Sequence, residues 1–158
     1  MHQGKFGVIF RSFRYTNYRL FFCGQGISLI GTWMQRIAMP WLVYEITGSA
    51  FMLGVVSFAG QIPTFIIAPF AGVLTDRWNR YHVLIAAQVM GMLQALAITL
   101  IYYLGTVQIW HIVVLSIIWG IFNAFDVPSR QSFVVDMVEN KEDLGNAIAL
   151  NSLMFNSA

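Results

Sequence analysis

Two long segments of this chain, residues 46–75 and 83–125, contain no Asp, Glu, Lys or Arg. A helix that crosses a bilayer needs roughly 20 apolar residues, so the first segment is long enough for one crossing. The second is long enough for two crossings with a turn between them. Charged residues make up only 10% of the chain, whereas soluble domains carry about 25%. We therefore expect an all-α integral membrane protein.

The uncharged segments and their flanks divide into spans. We predict four complete spans at about 20–44, 51–74, 82–103 and 109–127. Gly48 and Gly105 fall between spans, where glycine allows a tight turn.

A polar stretch follows the fourth span. Asn140, followed by Asp143, predicts a helix start, because a capping side chain and an acid in the first turn both favour one. A fifth span would begin near Leu144. Since too few residues follow for a crossing, we expect the N-terminal portion of a longer protein, with residues 20–158 forming part of its membrane domain.

The first 19 residues are basic and aromatic. They lack the apolar core and small-residue cleavage site of a signal peptide. We expect them to form an interfacial lead-in to the first span.

The basic residues also predict the orientation. All but one of the nine Lys and Arg residues precede span one, lie between spans two and three, or follow span four. Basic residues are retained on the cytoplasmic side of a membrane. We therefore predict that the N-terminus (1–19), the 72–84 turn and the 128–143 stretch are cytoplasmic.

Polar residues inside the first two spans follow one face of each helix. Gln25, Thr32 and Arg36 fall within about a 100° arc at 100° per residue, and Gln61 lies on the corresponding stripe of span two. Two interpretations remain open. Small and hydroxyl residues allow helices to pack closely, or the stripes line a polar cavity.

Arg36 is the charged residue inside a predicted span. A charge at this depth costs several kcal/mol, so it normally faces a partner or a wet cavity. Arg36 and Gln61 lie roughly 13 and 15 Å from the outer ends of their spans, by the rise of an α-helix. We predict a cavity lined by Gln25, Thr32, Arg36 and Gln61. The alternative is a structural arginine that bonds backbone carbonyls or extends to the interface.

Asp126 lies near the predicted cytoplasmic end of span four. Arg130 follows four residues later, a spacing at which helical side chains meet, so we predict a charge pair. Pro128 lies between them and disfavours regular helical spacing. A proton-relay role for Asp126 is the alternative.

The sequence contains no pattern that predicts a disulfide, a metal site, a catalytic centre or a nucleic-acid-binding surface. Cys23 is the only cysteine, so neither an intrachain disulfide nor a cysteine-based metal site is expected. The three histidines are scattered, without ligand spacing or a nucleophile nearby. We expect no enzyme activity, metal or cofactor, and no nucleic-acid binding.

The stretch "GVLTDRWNRYHVL", residues 72–84, resembles a signature of the major facilitator superfamily. That family places a Gly-x-Leu-x-Asp-Arg-x-Gly-Arg-basic pattern in the cytoplasmic turn between helices two and three. Asn79 stands where the family has glycine, which we attribute to the tolerance of Asn for the left-handed backbone. The matching residues are Gly72, Leu74, Asp76, Arg77 and Arg80.

Longer segments are similar to the enterobactin-exporter-like branch of this superfamily. They include "GQGISLIGTWMQRIAMPWLVYEITGSA" and "NAFDVPSRQ". The resemblance implies a twelve-helix fold of two halves built from inverted repeats, of which this chain holds four helices and the start of a fifth.

The same resemblance implies a function. It implies export of a small organic molecule, such as a siderophore or drug-like compound, from a bacterial cytoplasmic membrane. Protons are the implied coupling ion, and the 72–84 turn is the implied cytoplasmic gate, contacting the remaining helices in one state. Alternatives are an importer of the same fold, a small non-transporting membrane accessory protein, and a turn whose charges only set orientation.

Overall fold

The computed structural model describes residues 11–138 and 141–157, without the side chains of Arg11, Asp76, Lys141, Glu142 and Ser157. Within that part the chain is helical and has no strand, which confirms the predicted all-α class. A short 3-10 turn, Arg11–Arg14, precedes five α-helices. These are α1 (Thr16–Thr47), α2 (Ala50–Arg77), α3 (Arg80–Tyr103), α4 (Ile109–Met137) and α5 (Lys141–Ser157).

Three of the described helices are long and apolar enough to cross a membrane. The candidate spans are Ala50–Thr75, Arg80–Tyr103 and Ile109–Met137, in α2, α3 and α4. Helix α1 has 32 residues and is long enough to cross. Its glycines, glutamines and arginines make it less apolar, so the predicted span at 20–44 stays a prediction.

The apolar side chains of these helices are widely exposed. Phe65 is 81% exposed and Phe58 is 64% exposed, both on α2. Soluble monomers rarely expose a continuous surface of large apolar groups. Lipid or further helices must therefore cover this surface.

The turns between helices depend on glycine where the sequence predicts it. Gly48 and Gly105 have φ angles of 59° and 67°, in the left-handed region that other residues rarely adopt. The prediction of glycine turns at these two positions is confirmed.

Helix α4 continues ten residues past the predicted end of its span, through Pro128 to Met137. A proline removes one helical hydrogen bond, here the one to the carbonyl oxygen of Ala124, and helices of membrane proteins tolerate that loss. Ser129 Oγ donates to the carbonyl oxygen of Phe125 at 2.6 Å. The stretch predicted as polar after span four is therefore helical at its start. The predicted cap at Asn140 lies outside the described residues.

The chain divides into two compact units. Among the described residues, the lead-in unit comprises 11–34, 131–138 and 141–157, and the span unit comprises Gln35–Arg130. The core of the lead-in unit is Tyr18, Val134, Val138, Ala147 and Leu150. The core of the span unit is Leu42, Val43, Val56, Ile98 and Ile112.

Candidate functional site

The predicted gate motif lies at the junction of α2 and α3. Arg77 is the last residue of α2 and is exposed. The backbone N–H of Trp78 donates to the carbonyl oxygen of Leu74 at 3.1 Å, which closes the helix end. Asp76 lies in this last turn, and its side chain is outside the described part of the structure.

Asn79 caps the start of α3, where Arg80 is the first residue. Its side-chain oxygen accepts from the backbone N–H groups of Tyr81 at 3.0 Å and His82 at 3.4 Å. Its φ is −69°, so our attribution to a left-handed backbone is wrong. Asn is favoured here because its short side chain satisfies N–H groups that a helix start leaves unpaired.

Gly72 is surrounded by open space within the described chain. A Cβ built on it meets nothing within 4 Å. The described helices therefore do not require glycine at this position.

Arg36 and Gln61, two of the predicted cavity residues, both belong to the span unit and are exposed. Each lies roughly 17 Å along its own helix from the Gly48 turn, at 1.5 Å per residue. Both side chains are therefore exposed at a similar distance along their helices from the same turn.

The other two predicted cavity residues belong to the lead-in unit. Gln25 is only 6% exposed. Thr32 donates its hydroxyl to the carbonyl oxygen of Ser28 at 3.1 Å. Their predicted cavity role remains a prediction.

A pair of amides links α1 to α3 and was not predicted. Gln35 Nε2 donates to Gln94 Oε1 at 2.6 Å, and Gln94 is 4% exposed. The sequence signal for this pair is Gln94, a polar residue within the uncharged segment 83–125.

A second polar contact links α3 to α4. Gln88 Nε2 donates to Asp126 Oδ1 at 3.1 Å. The other carboxylate oxygen of Asp126 pairs with Arg130, four residues later on the same helix. Asp126 is 9% exposed and Arg130 is 7% exposed. The arrangement is a buried ion pair with an amide donor from the neighbouring helix.

Helices α2 and α4 approach closely at small residues. A Cβ on Gly120 would overlap the backbone carbonyl oxygen of Gly60, and a Cβ on Gly60 would lie 3.6 Å from the carbonyl oxygen of Ser116. Thr64 donates its hydroxyl to the carbonyl oxygen of Gly120 at 2.7 Å. At Gly60, Thr64 and Gly120 the small and hydroxyl residues serve helix packing.

Potential metal ligands do not come together in the described part of the chain. There, no group of three or more His, Cys, Asp or Glu side chains is placed to hold an ion. His111 instead accepts the backbone N–H of Gln108 at its Nδ1 atom, at 3.1 Å. This contact caps the start of α4.

The comparisons with known proteins agree with the predicted superfamily. The chain is 29% identical over 133 residues to macrolide efflux protein A of Streptococcus pyogenes, covering 82% of this chain and 33% of that protein. It is 24% identical over 139 residues to the staphyloferrin A transporter of Staphylococcus aureus, covering 87% of this chain and 35% of that protein.

A third relative is the multidrug efflux pump Tap of Mycolicibacterium fortuitum. Its identity is 27% over 103 residues, covering 65% of this chain and 24% of that protein. The chain thus spans about a third or less of the length of these curated relatives. No solved structure is significantly similar to it.

The family model described as transmembrane secretion effector matches residues 8–158, nearly the whole chain. The match agrees with the three apolar helices and with the transporters among its relatives. This chain belongs to the transmembrane secretion effector family of the major facilitator superfamily.

Proposed function

We propose that the complete protein exports a small organic molecule from the bacterial cytoplasm by alternating access. The family match over residues 8–158 carries this proposal. The names of two relatives, a macrolide efflux protein and a multidrug efflux pump, support the outward direction. These two names favour a drug-like compound as the substrate, and the staphyloferrin A transporter among the relatives favours a siderophore.

Arg36 and Gln61 are the residues that contact substrate in this proposal. Charged and polar side chains inside membrane segments commonly mark substrate pathways. Both side chains are exposed in the span unit. The guanidinium supplies charge and several donors, while the amide supplies a donor and an acceptor.

The turn between α2 and α3 acts as the cytoplasmic gate in this proposal. Arg77 is exposed, and Gly72 has open space around it, so a further surface of the same protein can approach there. A gate contact must form in one state and break in the other. A contact worth about 1–3 kcal/mol would change the population ratio roughly 5–150-fold.

Protons drive the export in this proposal. Family membership supports an ion-coupled secondary transporter, and Asp126 supplies a buried carboxylate within a candidate span. Protonation of a carboxylate removes its charge and weakens its pair with an arginine. Asp126→Asn would test this role, because an amide cannot take up the proton.

Transport in cells tests the function directly. The complete gene, extended beyond codon 158 if the reading frame continues, is expressed in a bacterium that lacks its own efflux pumps. We expect lower accumulation of a labelled macrolide or siderophore, and we expect an uncoupler to abolish the difference. Higher accumulation would indicate an importer, and no change for a panel of such compounds would contradict transport of this class.

Two substitutions then test the site. Arg36→Ala is expected to raise the KM for substrate, and Asp76→Asn is expected to alter the ratio of inward-open to outward-open protein. Thr99→Val serves as a control on α3, because the Thr99 hydroxyl bonds only its own helix, at Ala95. Unchanged transport in Arg36→Ala would remove Arg36 from the substrate path.

A further inference from the structure

Residues near the start of the described chain bind the first turns of α5. Ser12 Oγ donates to Asn146 Oδ1 at 2.9 Å and contacts the carbonyl oxygen of Asp143 at 3.1 Å. The backbone N–H of Ser12 also donates to Asn146 Oδ1, at 3.3 Å. Segments more than 130 positions apart in sequence are therefore joined through one buried serine.

The Asp143 carboxylate is the centre of this contact. Asp143 has no exposed surface. Tyr15 donates its hydroxyl to Asp143 Oδ2 at 3.3 Å, and Arg14 Nη2 lies 3.5 Å from the same oxygen. Arg14 also donates to the Tyr15 hydroxyl at 2.9 Å, and its guanidinium lies over the Tyr15 ring. The arginine is thus held in place by two neighbours.

Tyr18 extends the contact along α5. Its hydroxyl donates to the carbonyl oxygen of Ala147 at 3.0 Å, and neither residue has any exposed surface. Tyr18 also packs in the apolar core of the lead-in unit, with Val134 and Leu150. Polar and apolar contacts therefore fix the same segment.

We propose that residues 12–18 form a clamp that positions the start of α5 for transport and stays closed throughout the transport cycle. The proposal rests on the proposed function. A gate must break its contacts at modest cost in every cycle. Opening this clamp would instead uncover a buried carboxylate and several paired polar groups together, which is costly. The start of α5 therefore moves with residues 12–18 as one body.

A reversible cross-link tests whether the clamp opens. Cysteines are placed by Ser12→Cys and Asn146→Cys in the complete protein, after the exposed Cys23 is replaced by serine. The side chains of residues 12 and 146 touch, so oxidation can join the cysteines. We expect the oxidised protein to transport at a rate within about twofold of the reduced protein. Transport that stops on oxidation and returns with reductant would overturn the proposal.

Substitutions test whether the clamp positions α5. Asp143→Ala is expected to lower kcat on the order of tenfold, with KM unchanged and with equal protein in the membrane. Asp143→Asn is expected to retain most activity, because an amide oxygen still accepts from Tyr15. Arg14→Gln is expected to lower kcat more than Arg19→Gln, the matched loss of an exposed basic residue in the same segment. Normal kcat in Asp143→Ala would overturn the positioning role.

Spin labels separate failure of the clamp from failure of the proposed function. Asn17 and Ala149 are both exposed and lie on the two clamped segments. We expect a single narrow distance between labels at these positions, with or without a proton gradient. Two populations would overturn the clamp even if transport were normal. A wild-type protein that moves no tested compound would overturn the proposed function while the distance still tests the clamp.

Discussion

The contacts inside the lead-in unit differ in chemistry from the contacts inside the span unit. In the lead-in unit, hydroxyls, an amide, a carboxylate and a guanidinium converge on the first turns of α5, and aromatic rings surround them. The span unit has an apolar core of its own, and its described helices meet at glycine-sized approaches and at separate polar contacts such as Gln35–Gln94.

We attribute the difference to the predicted surroundings, because residues 12–19 and 141–143 of the lead-in unit lie in segments predicted to be cytoplasmic, whereas most of the span unit lies in predicted spans. Lipid tails are as apolar as leucine, so helices in a membrane gain little by burying apolar surface and depend on close packing and single polar bonds. A segment in contact with water can combine apolar burial with many redundant hydrogen bonds. We therefore expect the loss of one hydrogen bond or one close approach in the span unit to cost more than the loss of one hydrogen bond in the lead-in unit.

The largest effect is expected at the buried ion pair. Asp126→Ala leaves the buried Arg130 guanidinium without its carboxylate and should lower the free energy of unfolding by about 3–5 kcal/mol. Thermal or denaturant unfolding of the complete protein in detergent measures this change. Asp126→Asn also removes the charge but keeps an oxygen that can accept from Gln88, so it should cost less than Asp126→Ala. A loss below about 1 kcal/mol in Asp126→Ala would contradict the expected burial of the pair.

The next largest effect is expected where α2 and α4 cross. Gly120→Ala places a methyl group against the backbone carbonyl of Gly60, which cannot move without shifting a helix. We expect a loss of about 1–3 kcal/mol in the free energy of unfolding. Gly54→Ala is the matched control in α2, because its added Cβ meets nothing within 4 Å. Equal stability of the two variants would show that the crossing is looser than described.

Local features of the fold were predictable from sequence, because local chemistry decides them. The turns at Gly48 and Gly105 were predictable because glycine between two apolar segments is typical of a tight turn. Both residues have the positive φ that such turns require. The three apolar spans follow from length and composition. The continuation of α4 through Pro128 was missed, because proline ordinarily predicts a helix end.

Contacts between distant segments were not predictable. The Gln35–Gln94 pair depends on the rotation of α1 against α3, and several polar residues on each helix were equally eligible partners. The contact of Ser12 with Asn146 joins residues 134 positions apart, and no helical or strand spacing in the sequence indicates that they meet. Asp126 and Arg130 were predictable as neighbours because four residues is a helical spacing, whereas their donor Gln88 lies on another helix.

A smaller effect is expected at the amide pair. Gln94→Leu removes the acceptor for Gln35 and leaves that amide unsatisfied within the span unit. We expect a loss of about 1–2 kcal/mol in the free energy of unfolding, the range that model peptides give for hydrogen bonds between membrane helices. Thr99→Val, on the same helix, should cost less because its hydroxyl bonds only within α3. A larger loss in Thr99→Val would contradict a structural role for the pair.

The smallest effect is expected in the lead-in unit, at Tyr18. Burial raises the pKa of the Tyr18 hydroxyl to about 12, and the residue precedes the predicted first span. Because the folded pKa lies above the unfolded value of about 10, the protonated donor contributes stability below pH 10 and loses it as the pH rises through about 12. Tyr18→Phe should therefore cost about 0.5–1 kcal/mol, constant between pH 6 and 9. Unfolding at those pH values measures it. A loss larger than that of Gln94→Leu would overturn the comparison, because it would show that one polar contact matters more in the lead-in unit, which has several, than between α1 and α3 in the span unit.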